Sequence, residues 1–313
     1  MVVVNRDRWR IWAALATIYV VWGSTYLAIK ITVRTQPPLY SGGARFITAG
    51  LILAAVLVLA RRSLRVSGRE LLSALFLGVM LLTFGVGVVT VAETRIDSSV
   101  AAMIAGSVPL QVVIWRTLAR EVVAHATLLA AAIGLVGLGL IVIPSGSSSG
   151  STAVGLALML GASMSWSTGS FVSRRLALPA DPFVATVYEM LGGGLALLLV
   201  GFLAGERLHR SDVTTPTLLA WLYLVVAGSL VGFTAYAWLL RQAPISQVVT
   251  HQYVNPLVAI TLGALLLGER LTMATLVGAA IVVGAVFVTV RHETRPPSPR
   301  LDVEPSTPAA ETT

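Results

Sequence analysis

Cysteine is absent from the 313 residues, which excludes disulfides and thiolate metal sites. The four histidines, at 125, 209, 251 and 292, lack the spacing of a ligand set, so neither a metal nor any other cofactor is expected. Charge is scarce as well. Charged residues make up 12% of the chain, against roughly 25% in a soluble domain, while 56% is hydrophobic. With a mean hydropathy of +0.85, there is too little polar surface to cover a core in water. No Walker motif is present, which argues against a nucleotide-driven pump. The net charge of +8 does not point to nucleic acid, because the arginines sit in short clusters between apolar runs. That placement is a topology signal.

What is there in abundance is apolar sequence of membrane-spanning length, about 20 residues per helix. Ten stretches qualify: 11–30, 38–60, 70–91, 97–117, 126–144, 152–173, 182–204, 217–239, 246–267 and 272–290. The expected fold class is an all-α integral membrane protein with ten transmembrane helices. Arg6, Arg8 and Arg10 before an apolar run resemble a signal peptide. The run from Ile11 to Ile29 is long, however, and leads straight into repeated sequence, so it reads as an uncleaved first span. A polar stretch from Ser145 to Thr152 links two halves, 11–144 and 152–290. The segment 291–313 carries five prolines and no periodicity, and reads as a disordered cytoplasmic tail. With both termini in the cytoplasm, 15 of the 22 basic residues fall inside and six outside, and Arg45 remains in the membrane. The expected location is the cell membrane, inner or plasma, with many passes.

The two halves repeat one another. Trp22-Gly-Ser-Thr-Tyr-Leu-Ala-Ile-Lys30 aligns with Trp166-Ser-Thr-Gly-Ser-Phe-Val-Ser-Arg174, 144 positions on. Pro38 aligns with Pro182 and Ala49-Gly50 with Gly193-Gly194 at the same offset. Gly85 matches Gly232, and Val108-Pro109-Leu110 matches Asn255-Pro256-Leu257, at an offset of 147. Five spans per repeat is an odd number, so the second copy enters the membrane inverted. Inverted repeats are the architecture of many alternating-access carriers, with the solute near the midplane.

The motifs Trp22-Gly-Ser-Thr-Tyr-Leu-Ala-Ile-Lys30, Ala44-Arg45-Phe46 and Asn255-Pro-Leu-Val-Ala…Leu-Gly268-Glu269-Arg270-Leu271-Thr272 resemble EamA-type proteins of the drug/metabolite transporter superfamily. The resemblance covers about residues 11 to 290. It implies ten helices, cytoplasmic termini, and export or exchange of small solutes such as amino acids, metabolites or drugs. In the first repeat Arg120 replaces the glycine and Glu121 lies one residue nearer its proline, so the 4–5 turn need not mirror the 9–10 turn.

Charges inside apolar spans are expensive and mark candidate sites. Arg45 lies about two turns into span 2 and Glu189 at the equivalent place in span 7. Arg45 reads as a solute-pairing cation and Glu189 as a carboxylate that titrates during the cycle, each with bundle-holding pairing as the alternative. Inversion can place the two near opposite faces, too far apart to pair, and the sequence leaves open whether they approach each other. Gln247, His251 and Asn255, spaced i, i+4, i+8 on span 9, form a polar stripe expected to line a cavity. Their first-repeat counterparts Val100, Ile104 and Val108 are apolar. His251 is also a candidate proton carrier. Trp22, Tyr26 and Trp166 are expected along the solute path, while Lys30 and Arg174 snorkel. Pro109 and Pro256 are expected to break or kink spans 4 and 9 as gating points. Glu93, Asp97 and Glu269 sit at outer turns, where they are structural or steer solutes, and Thr272 can cap span 10. Glycines 201, 205, 228 and 232 are expected to allow close helix contact.

The expectation is a secondary active or facilitative transporter, an exporter working by alternating access, and not an enzyme. Its partners would be a small-molecule solute, the lipid bilayer, protons as coupling ion and a second copy in a homodimer. An antiporter of phosphorylated metabolites would want more cavity cations than Arg45. An intramembrane enzyme would want clustered nucleophiles at depth. A membrane receptor or scaffold would want substantial soluble parts.

Overall fold

The computed structural model describes residues 4–96, 101, 104–142, 152–255, 257–258 and 273–293. Asp97, Val100, Pro256, Glu269, Thr272, the 145–151 part of the linker and the tail beyond 293 lie outside the described residues. Every regular element among the described residues is helical. We label them α1 (Val4–Thr32), α2 (Pro38–Leu59), α3 (Gly68–Ala92), α4 (Val108–Leu118) and α5 (His125–Val142). The second half supplies α6 (Ala153–Val172), α7 (Pro182–Leu203), α8 (Thr215–Gln242), α9 (Ile245–Val248) and α10 (Met273–Glu293). Five helices are long and apolar enough to cross a membrane: Arg8–Thr32 within α1, then α2, α3, α7 and α8. Large apolar side chains such as Leu51, Leu59, Leu199 and Phe202 stand exposed on α2 and α7. A face of that kind suits hydrocarbon better than water.

The helices start where the sequence supplies donors and caps. Ser67 and Glu70 close a capping box on α3, with Ser67 N–H donating to Glu70 Oε2 over 2.7 Å. Pro182 opens α7, and the Asp181 carboxylate accepts from Phe183 N–H at 2.9 Å. Pro38 opens α2, whose orphan N–H groups at Leu39 and Tyr40 are taken by Glu206, just past the end of α7. At the other end Arg62, just past α2, pairs with Asp181 at 2.9 Å. Each helix of this packed pair is thus clamped at its start by the other's end, and α2 and α7 run antiparallel. Among the other helices, α5 packs against α10, α1 against α8 and α3 against α6.

Both α3 and α8 widen into a π-helical segment, Val79–Gly87 in one and Leu224–Phe233 in the other. The two segments hold the repeat-equivalent glycines Gly85 and Gly232. A π turn costs regular hydrogen bonding and is common at functional sites. Within the second segment the Gly228 carbonyl accepts from Trp22 Nε1 at 3.1 Å.

Spans 4 and 9, where Pro109 and Pro256 were expected to break or kink the helix, are interrupted ahead of residues 109 and 256. Residues 106 and 107 form a turn, and α4 starts afresh with Ser107 as N-cap and Pro109 in its first turn, where a missing N–H costs nothing. In the second half α9 stops at Val248, residues 249–250 turn, and a helical stretch resumes over 251–255, so this break falls four residues earlier than the offset of 147 would place it. Arg120, standing where the second repeat has Gly268, adopts φ +58°, the left-handed region that favours glycine. The first repeat's 4–5 turn therefore carries a glycine-like backbone under an arginine side chain.

Candidate functional site

A cavity of about 100 Å³ lies where α1, α2, α3, α6, α8 and the 251–255 stretch converge. Its frame is reciprocal. Trp22 of the first repeat packs on Gly232 of the second, and Trp166 of the second packs on Gly85 of the first. The two indoles meet edge to face, with centroids 5.5 Å apart and planes at 78°. Tyr236 lies 5.1 Å from both rings, and its hydroxyl shares a hydrogen bond with Ser170 Oγ at 2.5 Å. The result is a rigid aromatic wall between the halves.

Arg45 reaches this cavity from α2 and is 7% exposed. Its Nε donates to Ser229 Oγ at 2.7 Å, and its guanidinium carbon stands 4.9 Å from the Phe46 ring. Among the described residues it has no ion-pair partner. The absent side chain of Gly228 leaves room for its Nη2, since a Cβ there would lie 2.6 Å from that nitrogen. Gly228 and Gly232 thus clear space for cavity side chains, where close helix contact was expected. Gly205, with φ +78° and open space around it, serves a turn.

His251 and Asn255 line the same cavity; Gln247 does not, although it is buried. The interruption at 249–250 breaks the i, i+4 progression, so the expected stripe is not one helix face. His251 is fully buried with its ring 5.0 Å from Trp22, and its Nδ1 lies 2.9 Å from the Val248 carbonyl. A carbonyl only accepts, so Nδ1 carries the hydrogen and Nε2 the lone pair. Among the described residues neither His251 Nε2 nor Asn255 Oδ1 has a hydrogen-bond partner. Tyr26 also lines the cavity.

Glu189 sits elsewhere. It lines a smaller cavity of about 30 Å³ with Arg174 and Arg241, so it does not meet Arg45. One carboxylate oxygen of this buried residue lacks a partner among the described residues. Arg174 does not snorkel: its guanidinium donates to the carbonyls of Leu240, at 2.7 Å, and Ala243. Arg241 Nη1 donates to the carbonyls of Pro179 and Ala180 at 2.7 and 3.1 Å. Nearby, Glu121 bridges Arg116, at 3.0 Å, and Arg175, while Arg116 reaches Ser246 at 2.6 Å. Partial burial pushes the Glu121 carboxyl up, but hydrogen bonds from Arg116 and Arg175, with their charges, outweigh it and hold it below the usual range. This network ties α4 and the end of α6 to α9. Glu93 is 8% exposed rather than open at an entrance, and Lys30 is exposed.

Sequence reading missed Ser229, Tyr236 and the Glu121 network. Ser229 lies 184 positions from Arg45, and no local pattern joins them. Tyr236 is buried in a span whose apolar content hides one more ring.

Comparison with known proteins follows the same two halves. The EamA-like transporter family model matches residues 8–143 and 153–291. The chain is 36% identical over 282 residues to the "Uncharacterized inner membrane transporter YedA" of Escherichia coli strain K12, covering 89% of this chain and 90% of that one. It is 29% identical over 284 residues to "Protein PecM" of Dickeya dadantii, covering 86% and 88%. A solved crystal structure aligns with a TM-score of 0.75 at 19% identity, over 91% of this chain and 99% of that one, which speaks to the fold.

Proposed function

The chain belongs to the EamA-like transporter family and is a multi-pass membrane transporter, and from that premise we propose an alternating-access carrier that exports small metabolites. Ten spans, arranged as two inverted five-helix repeats with both termini in the cytoplasm, would move around the cavity described above. One observation carries this reading: the cavity wall is built reciprocally, Trp22 on Gly232 and Trp166 on Gly85. The antiparallel α2–α7 pair and the matched π segments of α3 and α8 support the same inversion. Two similar halves that exchange conformations would open such a cavity to one face and then the other.

The interrupted spans supply the moving parts. The breaks ahead of Pro109 and at residues 249–250 give α4 and α9 hinges beside the cavity. The expected role of Pro256 falls on a residue outside the described set. With the arginine-rich ends in the cytoplasm, the Arg116–Glu121–Arg175 network and the Arg174 and Arg241 contacts close the inner side. Glu189, buried beside them with an oxygen to spare, is the proposed proton-coupling carboxylate, and His251 is a second candidate. A carrier of phosphorylated metabolites is less well supported, because Arg45 is the one guanidinium among the described lining residues.

Counterflow in proteoliposomes tests the reading. Vesicles preloaded with unlabelled amino acids, monocarboxylates or organic amines should take up the matching labelled solute saturably and transiently. Absence of saturable exchange with every class would refute the carrier. Glu189→Gln should abolish the pH dependence of exchange; an unchanged pH profile would remove Glu189 from coupling.

A further inference from the structure

Among the cavity's polar groups, one cation and two unpartnered acceptors stand out. On one side stands Arg45, whose Nε is committed to Ser229 while the rest of its donor fork faces the cavity. Burying an unpaired cation in a membrane bundle is expensive, so the arrangement calls for an anion. The guanidinium is held from two directions, by the 2.7 Å bond to Ser229 and by the Phe46 ring. Its geometry is therefore set before any solute arrives, and a planar fork matches a carboxylate in two parallel hydrogen bonds. On the other side stand two acceptors, His251 Nε2 and Asn255 Oδ1, both buried and unpartnered among the described residues. They call for a hydrogen-bond donor. Between these poles Trp22, Trp166 and Phe233 offer apolar surface, with Trp166 Nε1–H a further buried donor unpartnered among the described residues. No carboxylate lines the cavity among the described residues. A solute bearing only positive charge would meet aromatic faces but also Arg45, with no counter-charge.

We infer that this cavity binds a small monocarboxylate with an apolar body and an N–H donor, its carboxylate on Arg45 and its donor on His251 and Asn255. The inference rests on the reading of this cavity as the solute site, and it narrows that reading to one solute class. Organic cations and phosphorylated solutes fall outside it. The first lack the anion that Arg45 requires. The second carry more charge than one guanidinium neutralises.

Three probes with a shared phenyl body separate the poles: L-phenylalanine, 3-phenylpropionate and 2-phenylethylamine. Each is titrated into the full-length protein in detergent while thermal unfolding is followed, because a ligand that binds the folded state raises the unfolding temperature. Stabilisation by L-phenylalanine and more weakly by 3-phenylpropionate, with none by 2-phenylethylamine, is expected. Arg45→Gln should weaken both carboxylates about tenfold or more, the scale of a lost charged hydrogen bond. Asn255→Leu should weaken L-phenylalanine and spare 3-phenylpropionate. Should Arg45→Gln fail to fold, Gly228→Ala keeps the charge and displaces the tip of Arg45, with the same expected loss. The inference is overturned if the amine stabilises as well as the carboxylates, if none of the three stabilises, or if carboxylate binding survives displacement of Arg45. Carboxylate binding without counterflow would refute the carrier and leave the inference standing. Saturable exchange of the amine alone would do the reverse.

Discussion

Replacing Gly228 by alanine should disable the cavity while leaving the bundle folded. A Cβ at 228 would lie 2.6 Å from Arg45 Nη2 and 3.1 Å from Thr25 Cγ2. Non-bonded heavy atoms prefer about 3.5 Å or more, so the overlap is nearly 1 Å. It falls on the far end of a long side chain, which yields by rotating rather than by moving backbone. Rotation of the guanidinium breaks the 2.7 Å bond to Ser229, worth about 1.5–3 kcal/mol for a charged donor. Alanine in place of helical glycine returns about 1 kcal/mol. The net loss of stability should be on the order of 1 kcal/mol.

Gly78→Ala makes the contrast. A Cβ there lands on the carbonyl oxygen of Glu189 and lies 2.8 Å from its Cα. Backbone meets backbone, so α3 and α7 must separate, at a cost on the order of 3 kcal/mol. The assay pairs tryptophan-detected thermal unfolding with titration of 3-phenylpropionate. Gly228→Ala should unfold near the wild-type temperature and bind the probe about tenfold more weakly. Gly78→Ala should lose many degrees or fail to accumulate. Wild-type binding by Gly228→Ala would mean that Arg45 does not hold the probe, and destabilisation as severe as that of Gly78→Ala would mean that the Arg45 side chain cannot yield.

Ser229→Ala should cost about 1–3 kcal/mol, because it strands the buried Nε of Arg45 without its acceptor; thermal unfolding measures this directly. Glu121→Gln should lower stability at neutral pH by about 1 kcal/mol or less, given the partial exposure of the pair. The sign with pH is fixed by the depressed carboxyl of Glu121: its contribution is full above the unfolded value of 4.5 and disappears as pH falls through the lower folded value. The unfolding temperatures of wild type and Glu121→Gln should therefore converge below about pH 4.5, and a constant gap down to acid pH would contradict the assignment. Arg120→Gly relieves a left-handed backbone that costs about 1–2 kcal/mol for a non-glycine residue, so the variant should be neutral or slightly more stable in the same assay.

The sequence revealed its charges better than their surroundings. Arg45 and Glu189 stand out because a charge in an apolar span has few cheap explanations. Trp22 and Trp166 stand out because the repeat aligns them. Their partners did not, since Ser229 and Gly228 come from a span nearly two hundred positions away, and glycine spacing reads equally as helix contact. Gln247 was grouped with His251 and Asn255 by a period that assumes unbroken helix. The turn at 249–250 voids that assumption, and nothing in Val249-Thr250 announces it. Arg174 looked like a terminal cation reaching for water, but carbonyls of Leu240 and Ala243 lie closer.

The placement of polarity follows from what a duplicated protein must solve. A pseudo-twofold cavity offers the same groups in two opposed orientations, which suits rocking between faces but cannot orient an asymmetric solute. The aromatic frame keeps the symmetry: Trp22 with Gly232, and Trp166 with Gly85. The hydrogen-bonding groups abandon it. Arg45 enters the cavity, while its equivalent Glu189 lines a separate one. His251 and Asn255 enter it, while their counterparts Ile104 and Val108 are apolar. Restoring symmetry at one pole therefore tests the division of labour. Asn255→Val, which copies Val108, removes an unpartnered buried acceptor and leaves the frame intact. Because an orphaned buried polar group costs about 1–3 kcal/mol, the variant should be as stable as wild type or more so. It should lose the preference for L-phenylalanine over 3-phenylpropionate. A loss of stability with that preference intact would mean that Asn255 serves the bundle, not the solute.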